Sequence, residues 1–115
     1  MAGPARLYRL KKRAEFLAVA GRGRKYARGS LLVQALTHGG PETRLGFTAT
    51  KKLGNAVVRN RAKRRMRAAA RLELSATPPA GYDLVLVARE AIRENSFSGL
   101  RADFRAALAK LGVPL

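Results

Sequence analysis

An α+β fold is predicted by three features of this 115-residue sequence: a long segment rich in alanine and arginine, a continuous apolar run at 83–89, and a closing segment with apolar residues at helical spacing. With strand-like runs before the long segment, the order is helix, strands, long helix, strand, helix. No internal repeat or low-complexity tract competes with that order. A length of 115 residues with 47% hydrophobic content suits one domain spanning 1–115 with a modest core.

Residues 1–9 carry charge and little that could enter a core, which predicts a flexible basic tail. From Arg13 to Ala20, Phe16 and Ala20 lie one turn apart with Leu17 beside them, so a short helix is expected, ended by Gly21. Gly21-Arg22-Gly23-Arg24 reads as a flexible connection. Leu31-Leu32-Val33-Gln34-Ala35-Leu36 has strand composition, and Arg44 to Thr50 alternates Leu45, Phe47 and Ala49 with Gly46, Thr48 and Thr50. Joined through Gly39-Gly40-Pro41, these two strands are expected to form a hairpin.

Past Gly54, Asn55 is placed to cap a long helix reaching about Leu72. Pro78-Pro79-Ala80-Gly81 must be a loop. The run Asp83-Leu84-Val85-Leu86-Val87-Ala88-Arg89 then has the composition of a central strand buried on both faces. Phe97, Leu100, Phe104, Leu108 and Leu111 predict a closing helix behind serine caps, stopped by Gly112 and Pro114.

Charge carries the functional signal. The net charge is +17, and residues 1–72 hold 19 basic side chains against Glu15 and Glu42, whereas five of each sign follow from Glu73 onward. Between Lys51 and Arg71 stand nine basic residues and no acid. So dense a single-sign field repels itself and is tolerated mainly beside a polyanion. On a helical wheel Val58, Ala62, Met66 and Ala69 form a narrow core stripe. Arg59, Lys63, Arg67 and Arg71 make an i, i+4 line on the other side, with Asn60 and Arg64 beside it. Arg61 and Arg65 flank the stripe, where their stems can pack while their heads snorkel or pair.

A basic helix that is merely a solvated face is usually stabilised by acids one turn away, and here there are none. Further charge at Arg6, Arg9, Lys11, Lys12, Arg13, Arg22, Arg24, Lys25 and Arg28 spreads well beyond one helix, which fits a folded RNA better than a DNA groove.

Other chemistries are excluded or weakened. Without cysteine there is no disulfide, thiolate nucleophile or cysteine-ligated zinc, and the lone His38, in His38-Gly39-Gly40-Pro41, reads as a solvated loop residue. Protein-borne hydrolysis would need clustered carboxylates or histidines. Glu90 and Glu94, the nearest helically spaced pair, read as surface charges. The start of the chain has no apolar stretch of a secretory signal, and no segment approaches a membrane span, so a cytoplasmic protein is expected.

The stretch from Thr50 through Lys51-Lys52-Leu53-Gly54-Asn55-Ala56-Val57-Val58-Arg59-Asn60-Arg61-Ala62-Lys63-Arg64-Arg65-Met66-Arg67 resembles the signature of the protein subunit of bacterial ribonuclease P, built around Arg-Asn-Arg. The likeness extends to Leu10-Lys11-Lys12 leading into Glu15-Phe16, and to Tyr82-Asp83 through Ala88-Arg89. It implies a four-stranded sheet with three helices, similar to domain 2 of ribosomal protein S5, with a left-handed βαβ crossover that departs from the usual hand. It also implies a role in endonucleolytic removal of the 5′ leader from precursor tRNA. Chemistry and Mg2+ would reside on the catalytic RNA subunit, so neither a catalytic nor a metal-binding residue is expected in the protein. RNA subunit and precursor tRNA are the implied partners, with no membrane and no small-molecule substrate.

By that resemblance Arg59, Asn60, Arg61, Lys63, Arg64 and Arg67 dock on the catalytic RNA, and Arg71 is counted with them as the end of the basic line. Arginine forks and an asparagine amide suit phosphates and 2′-hydroxyls. The family's second surface is a cleft between the first helix and the sheet that holds single-stranded leader. Phe16 matches an aromatic of that cleft, with Arg13, Thr48, Thr50, Lys52 and Arg89 offering polar contacts. Where many members carry further aromatics this chain has Ala20 and Gln34, which implies that leader is held more by charge and hydrogen bonds. The alternative is a non-catalytic ribosomal or RNA-assembly protein, which shares every charge argument but not the Arg59-Asn60-Arg61 signature. A DNA-compacting protein would need a repeat, zipper or base-reading helix, none of which is found, and a self-sufficient nuclease lacks ligands.

Overall fold

β5 (Tyr82–Ala88) is the centre of the molecule in the computed structural model, which describes residues 7–75 and 78–114. Around it, in chain order, are β1 (Leu7–Arg9), α1 (Arg13–Arg22), β2 (Arg24–Arg28), β3 (Leu31–Thr37), β4 (Thr43–Thr48), α2 (Ala56–Leu74) and α3 (Phe97–Lys110). Short 3-10 turns at Lys51–Leu53 and Glu90–Arg93 precede α2 and α3. The sheet order is β1-β4-β5-β3-β2; β1, β4 and β5 run parallel, and β3 is antiparallel to both β5 and β2.

The α+β class and three helices agree with expectation, but the sheet has five strands and not four. Leu7–Arg9, placed in the expected tail, forms an edge strand paired with Thr43, Arg44 and Leu45. The rest of that tail, residues 1–6, lies outside the described residues. The supposed connection after α1 instead leads into β2, which makes the hairpin with β3 through the two residues Gly29-Ser30. Gly29 has φ 50°, and a Cβ there would come within 2.5 Å of Asp103 Oδ2, the atom that accepts from the Ser30 N–H at 2.9 Å. α1 also runs past Gly21, to end where the Gly23 N–H donates to Val19 O at 2.8 Å. Full burial of Val19 outweighs the roughly 1 kcal/mol that a helical glycine costs.

The expected β3–β4 hairpin does not form, because β5 lies between those strands. Two physical causes favour the insertion. A strand apolar on both faces loses most water-exposed surface in the middle of a sheet, and the β4–β5 register sets Arg44 opposite Asp83. Arg44 Nε and Nη2 donate to the two Asp83 oxygens at 2.8 and 2.6 Å, a bidentate pair that β3 cannot offer.

Leu84, Leu86 and Ala88 of β5 face a core formed with Leu31, Val33, Leu45, Met66, Leu100, Phe104 and Leu108, under α2 and α3. Val85 and Val87 face the opposite way, toward α1, where Leu10, Phe16, Val19 and Leu36 complete a smaller cluster. Ser96 caps α3, accepting from the Gly99 N–H at 3.0 Å. His38 is not a solvated residue: half-buried, its Nδ1 accepts from the Gly40 N–H at 3.1 Å and its Nε2 lies 3.5 Å from Asp83. Among the described residues no helix is long and apolar enough to cross a membrane.

Glu73 of α2, with its side chain 7% exposed, ties the two helices together by accepting from Arg101 at 2.6 Å and Arg105 at 3.0 Å. Burial works to raise its pKa, but the two guanidinium groups outweigh burial and hold it below the ordinary 4.5. A lowered folded-state value means the pair stabilises fully above pH 4.5 and is lost as pH falls through the folded value. Glu73→Gln is therefore expected to cost about 1–2 kcal/mol at pH 7, a Tm drop on the order of 5–10 °C. As pH falls from 4.5 through the lowered folded value, melting curves of variant and parent should converge.

Candidate RNA interface

Alanines and long basic side chains favour α2 locally, and Asn55 starts it, its side-chain oxygen accepting from the Val58 N–H at 3.0 Å. Ala62, Met66 and Ala69 are buried and Val58 half-buried, as the helical wheel requires, and Ala70 and Leu74 widen the stripe. The flanking arginines differ. Arg65 is a strut whose guanidinium donates to the Ile92 carbonyl and, at 2.6 Å, to that of Asn95. Arg61 is exposed, with no hydrogen-bond partner among the described residues.

The line Arg59, Lys63, Arg67, Arg71 does not simply point at solvent. Its first three members are half-buried. Arg67 sits 5.7 Å above the centroid of the Phe47 ring, so the line follows the seam between α2 and β4, where an aromatic face receives a guanidinium. The fully outward face consists of Asn60, Arg61, Arg64 and Arg71. It ends in two bare apolar side chains, Val57 and Leu72, 75% and 54% exposed. Among the described residues the ion pairs all fall elsewhere, at Arg44 with Glu15 and Asp83, at Glu73, and at the His38–Asp83 contact. The cations of α2 are thus left for an external anion.

The second surface is the α1 face of the sheet. Phe16 lies over Gly46 so closely that a Cβ there would be 2.5 Å from Phe16 Cε1. One flank of α1 is anchored. Glu15 accepts from the N–H groups of Lys12 and Lys11 at 2.9 and 3.1 Å and from Arg44 Nη1 at 2.5 Å. The Lys12 and Lys11 amides, helped by Arg44, hold the Glu15 carboxyl below its usual range, and the hydrogen bond to Asp83 raises the Arg44 pKa. With Ala14, Ala18 and Arg22 this flank borders a 440 Å³ recess over Leu36, His38, Arg44 and Asp83.

At 100° per residue, Arg13, Leu17 and Ala20 fall on the other flank of Phe16. There the next row of the sheet, Leu32, Val87 and Thr48 in register, is only half-buried. That row is a cleft floor walled by α1. Of the residues expected here, Thr48 belongs to that row, Phe16 lies over Gly46 in the row beside it, and Arg13 is exposed on α1. Thr50 and Lys52 lie exposed where the chain leaves β4. Arg89 is exposed at the end of β5, with Nη1 donating to Gly29 O at 3.3 Å, so part of its work is to hold the β2–β3 turn. Leu32, Val87 and the 57% exposed Leu17 were not foreseen. In β3 and β5 both faces are apolar, which hid the alternation that would have marked Leu32 and Val87.

Among the described residues no three His, Asp or Glu side chains converge as metal ligands.

The Ribonuclease P family profile matches residues 5–112. A "Ribonuclease P protein component" from Gluconacetobacter diazotrophicus is 51% identical over 109 residues, covering 94% of each chain. That of Paramagnetospirillum magneticum is 45% identical, covering 95% of this chain and 86% of the relative. Among solved structures, a Staphylococcus aureus RNase P protein mutant with defective mRNA degradation activity superposes with TM-score 0.81 at 29% identity, covering 93% of this chain and 90% of that one. The RNase P protein from Thermotoga maritima gives 0.74 at 27%, covering 90% and 94%. With a profile match over nearly its whole length and such relatives, the chain belongs to the ribonuclease P protein family.

Proposed function

We propose that this protein is the accessory subunit of ribonuclease P, a ribonucleoprotein endoribonuclease that matures the 5′ ends of tRNA. α2 docks on the catalytic RNA through Arg59, Asn60, Arg61, Lys63, Arg64, Arg67 and Arg71. The α1–sheet cleft receives the single-stranded leader of precursor tRNA, with Phe16 and Arg13 on one wall, Thr48 in the floor, and Thr50, Lys52 and Arg89 at its mouth. The RNA subunit supplies hydrolysis with Mg2+; the protein concentrates and orients the substrate. The left-handed sense of the β4–α2–β5 crossover and a cytoplasmic location belong to the same reading.

One observation carries it. The chain leaves the cleft floor at Thr48, passes Thr50 and Lys52, and within a few residues enters the N-terminal turn of α2. Leader and catalytic RNA are thereby held at adjoining ends of one short connection, which is the proximity a templated cleavage needs. Added to a catalytic RNA subunit at low Mg2+, the protein is expected to restore leader removal. Lack of stimulation at every protein concentration contradicts the reading, and cleavage by the protein alone would overturn the division of labour.

A further inference from the structure

We propose that the groove between α2 and the 3-10 turn Glu90–Arg93 holds the base of one unpaired nucleotide of the RNA on which α2 docks; this rests on the docking reading above. Val58, Ala62 and Ile92 form its floor, and Arg61, Arg65 and Arg93 its walls. No carboxylate lines it. Glu90 of that turn and Glu94 just after it border a neighbouring recess with Ala91, on the other side of Arg93.

Three guanidinium groups suit phosphate, but phosphate alone would leave the aliphatic floor wet and the guanidinium faces uncovered. A heteroaromatic ring answers both features: it covers Val58, Ala62 and Ile92 and offers its π-faces to guanidinium planes. Arg65 is fixed in plane by the Ile92 and Asn95 carbonyls, so one wall is preorganised. Arg93 is tethered by a long 3.3 Å hydrogen bond from Nη1 to Leu53 O, and Arg61 is free to close over a ring. The groove measures 160 Å³, below the ~300–1,000 Å³ that encloses a drug-sized ligand, so one ring is the fitting occupant. Its phosphates would remain at the rim, near Arg64. A base within a duplex cannot reach the floor, which makes the nucleotide an unpaired one.

Lysine at Arg61 and Arg93 keeps the charge and removes the plane. Arg61 is exposed, so Arg61→Lys alone leaves folding unthreatened, and the double variant Arg61→Lys/Arg93→Lys extends it. Each is assembled with the catalytic RNA subunit and compared with the parent by affinity, by its salt dependence, and by base-specific probing with dimethyl sulfate and carbodiimide. One unpaired base shielded by the parent should regain reactivity with the double variant, and affinity should fall about tenfold with the salt slope unchanged. Parent-like affinity of both variants, or absence of any such base, overturns the proposal while leaving docking intact. A changed salt slope with no change in base reactivity reduces the groove to a phosphate contact and overturns it too. A parent protein that does not bind the RNA at all overturns both readings.

Discussion

Alanine at Arg59, Lys63, Arg64 and Arg67 together is expected to cost binding to the catalytic RNA on the order of a thousandfold at physiological salt, while the protein remains folded. None of the four has a carboxylate partner among the described residues, so their removal breaks no ion pair. Arg59, Lys63 and Arg67 are half-buried, and Arg67 also lies over Phe47, a contact worth about 0.5–1 kcal/mol. Against that, relief of like-charge repulsion one turn apart returns a few tenths of a kcal/mol per pair. If each side chain contributes one charge-assisted contact of about 1 kcal/mol, four amount to roughly 10³ in affinity. The signature that separates phosphate contacts from a folding defect is the salt dependence: losing four contacts should flatten the log–log slope by about 3. Binding measured across a potassium chloride series checks this, and an unchanged slope would place the RNA elsewhere on the protein.

Gly46→Ala is the second large effect, and it acts through the cleft. The added Cβ would lie 2.5 and 2.8 Å from Phe16 Cε1 and Cζ and 3.1 Å from Leu10 Cδ1. Either the ring swings off β4 into the space over Leu32, Val87 and Thr48, or α1 lifts against its Glu15–Arg44 anchor. Overpacking of this kind costs about 1–3 kcal/mol of stability. In both outcomes the base-stacking position is lost, so affinity for precursor tRNA should fall toward that for mature tRNA, by roughly tenfold or more if one stacked base is involved. Phe16→Ala should produce the same loss of discrimination. Combined with Phe16→Ala, Gly46→Ala should then add little, and that non-additivity is the diagnostic. Equal weakening of precursor and mature tRNA by Phe16→Ala would sink the leader role of this cleft, and additive stability losses in the double variant would remove the contact argument.

How much of this was legible before folding follows from how local each signal is. α2, α3 and β5 were read correctly because helical spacing, Asn55 and Ser96 as caps, and an unbroken apolar run are properties of adjacent residues. β1 and β2 were missed for the opposite reason. Leu7–Arg9 is three residues long, and Arg24-Lys25-Tyr26-Ala27-Arg28 is an edge strand, whose charge protects an open edge and disguises a strand. The β3–β4 hairpin failed because pairing was inferred from sequence neighbours, whereas Arg44 and Asp83, thirty-nine positions apart, decide it. On the interface the Arg-Asn-Arg segment named the helix, but Arg65 as a strut, Arg67 stacked on Phe47 and the Leu32–Val87 floor each depend on a partner from another part of the chain.

The placement of β5 also governs how the protein can come into being. The two strands that flank it, β3 and β4, end by Thr48, yet neither can find its inner neighbour until residues 82–88 exist. Before that strand joins, β4 can pair only with β1 and β3 only with β2, so the inner edges of both pairs stay open although the residues carrying the whole positive surplus already exist. Sheet completion by a late, non-local strand is a slow closure step that exposes strand edges while it waits. A strand whose single charged residue is Asp83 is therefore the one that completes the sheet of this strongly basic protein.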